Sequence, residues 1–275
     1  MGSTDLRLSR LRRYPVKSCR GEDLPACEVE PWGLLGDRRW MVVDPSGRAV
    51  TAREENRLVL VDPVITGEGL RLRFPGIEDL AVVRPKRGPL AEVELWRDRI
   101  AASLADDSAH DWFSQVIGRP VRLVYLDDPR RRPVDRRYAE PSDVVSFADG
   151  FPLLVVTEES LEQLNTWIAT GPRAEDGPLP ITRFRPSLVI RGAEPFAEDS
   201  WRRVRVGDVV FKIVKPCARC VLTTIDPDTA ERTKEPLVSL ARHRKIGSKL
   251  LFAVNAIPEP PYGVVRVGDP VDVLA

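Results

Sequence analysis

The stretch KPCARCVLTTIDP, residues 215–227, holds two cysteines three positions apart, with an arginine between them, just past a run that reads as a strand. Four chemistries share that spacing: half of a zinc site, a redox pair, a disulfide, or one working thiolate beside a silent neighbour. Each needs different surroundings, so the rest of the chain has to decide.

A structural zinc site takes four ligands, commonly two such cysteine pairs or one pair with two histidines. The other cysteines are Cys19 and Cys27, and the histidines are His110 and His243. Neither pair makes a second knuckle, which disfavours zinc. A thioredoxin-type pair sits at the start of a helix, whose dipole lowers the thiol pKa. Here residues 221–225 are β-branched and strand-like, and a turn follows at Asp226-Pro227-Asp228. The N-terminus lacks the apolar core of a signal peptide, and no apolar run approaches the ~18–20 residues of a membrane span. A cytoplasmic location with reduced thiols is therefore expected, which argues against a disulfide. A single thiolate remains, with Lys215 and Arg219 nearby to favour the ionised form that binds a soft metal.

The composition suits a soluble globular chain long enough for two ordinary domains: 43% of its 275 residues are hydrophobic and 30% charged. Lys plus Arg (42) nearly cancels Asp plus Glu (41), so no global basic field points to nucleic acid. Proline, 25 residues against a usual ~5%, favours short strands and rigid loops over long helices. Strands are predicted at residues 6–13, 39–43, 58–61, 70–74, 91–96 and 121–125 in the first half. In the second half they are predicted at 153–156, 187–191, 204–206, 209–214, 250–254 and 264–267. Helices are predicted at 107–117, with caps at 106–108 and a Gly118 stop, at 158–168 behind Thr157, and at 235–243. Residues 127–137 are polar, Pro-broken and strongly basic, and read as a solvated connection between two halves, with an acidic docking partner as the alternative. The phrase VRVGD occurs at 204–208 and again at 265–269, too short to argue a duplication.

Basic residues recur at strand ends: Lys17 with Ser18, Arg38 with Arg39, and Arg183 with Arg185 before Ser187. An arginine fork beside a hydroxyl or backbone amides is suited to phosphate. Neither common glycine-rich phosphate loop is present, Gly-x-Ser-x-Gly is absent, and neither histidine lies in a recognisable motif.

Taken together, YPVKSC, GDRRW, TARE, FRPS, PCARC followed by TTIDPDT, KEPL and VRVGDPV resemble the MOSC family, named for the C-terminal domain of molybdenum cofactor sulfurase. The likeness runs from about Leu6 to Leu274, and its pattern is that of the amidoxime-reducing branch and its bacterial relatives, which reduce N-hydroxylated bases. It implies an α+β, mainly β fold. A β-rich N-terminal domain would span residues 1–126, a basic connecting loop 127–145, and a MOSC β-barrel with short helices 146–275. It also implies molybdenum cofactor (Mo-molybdopterin), with Cys220 as the protein ligand to the metal and Cys217 dispensable. The family's cofactor-binding positions fall on Lys17, Ser18, Arg38, Arg185 and Ser187, on Arg219 beside the metal ligand, and on Gly150, Phe151 and Asn255. Asp226 is expected to form a turn, with a proton-transfer role near the metal as a further candidate. Ser187 stands where the family commonly has Asn, and Ala218 where it often has Ser.

The implied function is reduction of small N-hydroxylated substrates, with electrons from a separate protein, a flavin reductase or an iron–sulfur or haem carrier. The alternative is a non-catalytic carrier of molybdenum cofactor or of persulfide sulfur. The cofactor is expected between the halves, since Lys17 and Arg38 come from one and Arg185 and Cys220 from the other.

Overall fold

The structure, a computed structural model, describes residues 5–86 and 89–275. Its largest element is a nine-stranded sheet, built mostly from the second half of the chain. Eight strands lie in the order Val271–Val273, Arg203–Val206, Val209–Ala218, Lys249–Glu259, Leu153–Thr157, Leu188–Arg191, Arg7–Arg13 and Glu22–Leu24, and Lys245–Ile246 adds to Lys249–Glu259. Backbone bonds from Leu8 N to Asp269 O (3.0 Å) and from Val271 N to Leu6 O (2.9 Å) bring the two ends of the sheet together, so it curls on itself. Alternate residues of these strands point inward, and Leu11, Val155, Leu188, Val206, Phe211 and Val254 share one buried core.

Only one neighbouring pair in this order is parallel, Leu153–Thr157 beside Leu188–Arg191. A parallel pair needs a long crossover, and helix α2 (Glu158–Ala169) is part of it. Thr157 starts α2 by accepting from Ser160 N. Helix α1 (Asp107–Ile117) begins at Asp106, whose carboxylate accepts from Ala109 N, and ends at Gly118 in the left-handed region. Trp112, Phe113 and Val116 of α1 pack on Val42, Leu70 and Leu123. Those residues belong to smaller sheets, one of Trp40–Val43, Arg122–Tyr125, Asp98–Leu104 and Leu90–Leu95, another of Asp62–Ile65, Gly69–Phe74 and Ile77–Val83. Helix α3 (Leu237–His243) starts two residues later than its pattern predicts. The fold is α+β and mainly β.

One predicted strand and one strand-like run are instead 3₁₀ turns. Asn56–Leu60 is one; a four-residue apolar run carries no period that separates strand from turn. Val221–Thr224 is the other, directly after Cys220. There Thr223 Oγ1 donates to Cys220 O and Thr224 Oγ1 to Val221 O, so hydroxyls that read as β-branched strand formers tighten a turn.

The halves on either side of the basic segment also interlock. Arg7–Arg13 pairs with Leu188–Arg191, and Val264–Arg266 pairs with Ala26–Glu30. Within the basic segment Arg130, Arg131 and Arg137 pair with Asp128, Asp127 and Asp135, neighbours in sequence. Arg132 turns inward and is 2% exposed.

Candidate functional site

The long antiparallel pair of Val209–Ala218 and Lys249–Glu259 breaks register twice, between Ile213 and Lys215 and between Pro216 and Ala218. Such bulges re-aim side chains at a sheet's rim. Here they carry Cys217 and Arg219 to the mouth of a cleft, while Asn255 Nδ2 donates to Lys215 O at 3.3 Å. The cleft encloses about 630 Å³ of non-atom space, open mouth included. Lys17, Ser18, Arg38, Gly150, Phe151, Arg185, Arg219 and Asn255 all line it, gathered from six separate segments.

Three of these residues pay a conformational penalty to be there. Ser18 (φ 70°), Arg38 (φ 48°) and Arg185 (φ 56°) are non-glycine residues in the left-handed region. Strain of this kind persists where the surroundings over-determine it, and it concentrates at ligand sites. The ring of Tyr14 anchors two of them: the guanidinium of Arg185 lies 4.2 Å from its centroid and that of Arg38 4.6 Å. Arg38 also donates to Asp37 Oδ2 at 2.5 Å, whereas Arg185 makes no ion pair among the described residues. Burial pulls the Arg185 guanidinium down to about 10. Its Nη2 and the Nε of Arg219 are buried without a hydrogen-bond partner. Unpartnered donors of cationic side chains in a cleft suit a ligand rich in anionic acceptor oxygens.

Lys17 is 5% exposed and donates to Asp149 Oδ1 (2.6 Å) and Phe147 O (2.8 Å). Burial pulls its ammonium down to about 8, against the opposing pull of Asp149. Burial pushes the Asp149 carboxyl up, but Lys17 and Arg53 outweigh it and hold it far below the usual carboxylate range.

Arg53 is the residue that sequence reasoning left unassigned. It donates Nη2 to Asp149 Oδ2 at 2.6 Å and Nε to Cys220 Sγ at 3.3 Å, and its guanidinium lies 4.6 Å from the Trp96 ring centroid. Its signal was the TARE string at residues 51–54, quoted for the resemblance but given no role. Asp149, next to Gly150, carried no signal.

The cationic neighbours expected beside Cys220 are placed differently. Arg219 donates Nη1 to Cys217 Sγ at 3.1 Å, not to Cys220, and Nη2 to Phe184 O. Lys215 sits 4.1 Å from the Tyr138 ring centroid and 5.0 Å from that of Phe151. Cys217 packs against the core around Leu164 and Phe252.

Three candidates lie outside the cleft lining. Cys220 is one, connected to it through Arg53. Ser187 is fully buried, with its hydroxyl 3.4 Å from Leu154 N. Asp226 accepts from Asp228 N and Thr229 N through Oδ1, which holds its own turn together, and from Arg183 Nη2 through Oδ2, which ties that turn to the 3₁₀ turn Ile181–Phe184. Among the described residues no three His, Cys, Asp or Glu side chains gather at a point.

Residues 5–120 match the MOSC N-terminal beta barrel domain, and residues 142–272 match the MOSC domain. The mitochondrial amidoxime-reducing component 1 of Homo sapiens is 34% identical over 97% of this chain and 82% of its own length. That of Mus musculus is 36% identical over the same shares. The molybdenum cofactor sulfurase of Oryza sativa subsp. japonica is 30% identical over 91% of this chain, which covers 32% of that longer protein. With both domains matched in order and such relatives aligned along nearly its whole length, the chain belongs to the MOSC-domain family.

Proposed function

We propose that the protein is a molybdenum-cofactor-dependent reductase of N-hydroxylated compounds, supplied with electrons by a separate flavin, iron–sulfur or haem protein. The observation that carries this reading is a strained, cationic cleft linked through Arg53 to the thiol of Cys220. When bound there, the cofactor supplies two-electron reduction, in which N–OH plus two electrons and two protons becomes N–H plus water.

The chain's own groups divide the remaining work. Cys220 offers the soft thiolate, and Arg53 fixes its direction. Arg185 and Arg38, steadied on Tyr14, receive the phosphate, and Ser18 adds a hydroxyl. Asp149, held ionised, accepts N–H groups of an incoming amidine or base rather than donating a proton. Lys17 Nζ, at about 8, is placed to release a proton near neutral pH. No helix among the described residues is long and apolar enough to cross a membrane.

Metal and pterin analysis beside Cys220→Ala and Cys217→Ala tests the site. Molybdenum should be lost from the first and kept by the second; retention in Cys220→Ala overturns the assignment. Reduction of an amidoxime with an artificial electron donor tests the chemistry. Similarity to the rice sulfurase along most of the chain favours one second reading, a carrier of cofactor or persulfide sulfur. Fully loaded protein without turnover would select it.

A further inference from the structure

Behind the cleft, sharing Arg185 with it, lies a second hollow of about 370 Å³ of non-atom space, open mouth included. Arg12, Arg20 and Arg183 line it with Tyr14 and Thr182, and the side chains of Val59, Leu222, Ile225 and Pro227 make its remaining wall apolar. Each of the three arginines commits terminal nitrogens elsewhere: both in Arg12 and Arg183, and Nη2 in Arg20. Arg12 is bound to Asp23 and Gly21 O, Arg20 to Asp228 and Pro227 O, and Arg183 to Asp226 and Thr224 O. Each leaves its Nε buried with no partner. Arg183 is 6% exposed, so open solvent does not satisfy it.

A buried unsatisfied donor is costly, and three such donors on residues lining one hollow point to a common acceptor. All three are N–H groups, so a species that only accepts meets the need better than water, which brings two hydrogens of its own. The charge balance agrees. Asp23, Asp226 and Asp228 each offset one of the three guanidiniums, and Arg185 adds a fourth with no carboxylate partner among the described residues. We infer that this hollow is a second anion site, separate from the cofactor cleft, which takes a small inorganic anion among the guanidiniums of Arg12, Arg20 and Arg183.

The probe is bromide, added to protein in gluconate buffer at constant ionic strength. Thermal stability should rise saturably, and Arg12→Gln and Arg183→Gln should each weaken the response about tenfold in apparent Kd. Arg53→Met, whose partners Asp149 and Cys220 lie outside the hollow, should keep it. Should a variant not fold, wild-type crystals soaked in bromide give an independent reading by anomalous scattering. A peak among the three guanidiniums supports the site. Bromide confined to the cleft, only water in the hollow, or a response unchanged in both hollow variants overturns it.

Discussion

Arg53 Nε donates to Cys220 Sγ at 3.3 Å, joining positions 167 residues apart in the chain. Because Nη2 of the same guanidinium holds Asp149, the planar fork fixes thiol and carboxylate relative to each other. Lysine has the charge but not the fork. Arg53→Lys and Arg53→Met should both lower turnover about ten- to a hundredfold, the loss of a charge-assisted hydrogen bond of ~1.5–3 kcal/mol. Molybdenum content and melting temperature should stay near wild type. Full activity in Arg53→Met would show that Cys220 needs no such support.

Lys17 gives a pH dependence with two opposite signs. Its folded value of about 8 lies below the usual 10.5. Between those values the unfolded chain holds a proton that the folded chain has lost, so this group's contribution to stability rises with pH across that window. Anion binding runs the other way, because the ammonium charge in the cleft disappears as pH passes about 8. Inorganic phosphate, followed by calorimetry on cofactor-free protein, should bind progressively more weakly above pH 8. In Lys17→Met that dependence should be flat.

Arg132 ties the basic segment to the cleft wall. It donates to Asp98, to the carbonyls of Ser146 and Ala148, and to that of Asp149. Arg132→Met should cost ~2–3 kcal/mol in denaturant unfolding. That is below the usual figure for breaking a buried pair, because Asp98 is 47% exposed and stays solvated. It should also lower cofactor retention, since the loop carrying Asp149 loses its clamp. A variant as stable as wild type would return the segment to the role of a solvated linker.

Asp226→Asn separates a turn from a proton donor. The amide oxygen can still accept from the turn, while the charge opposite Arg183 is lost. Stability should fall and turnover of the loaded enzyme should change less than about threefold. A hundredfold loss with the fold intact would make Asp226 a catalytic residue. Ser187→Ala should leave cofactor content unchanged, because the hydroxyl faces Leu154 N inside the sheet and not the cleft.

What the sequence determined by itself is local or repeated. Caps one turn long placed α1 and α2, since Asp106 and Thr157 act on amides three residues away. Short apolar runs bounded by turn residues marked most strands. Short β-branched runs misled, because Thr223 and Thr224 satisfy their hydroxyls within a turn as readily as in a ladder. Tertiary structure decided the rest. Only folding brings Arg53 to Cys220 and Lys17 to Asp149, gives Arg219 to Cys217, and pairs Arg7–Arg13 with Leu188–Arg191. A guanidinium's partner depends on which backbones curl past it, and sheet closure over more than a hundred residues leaves no trace in local spacing.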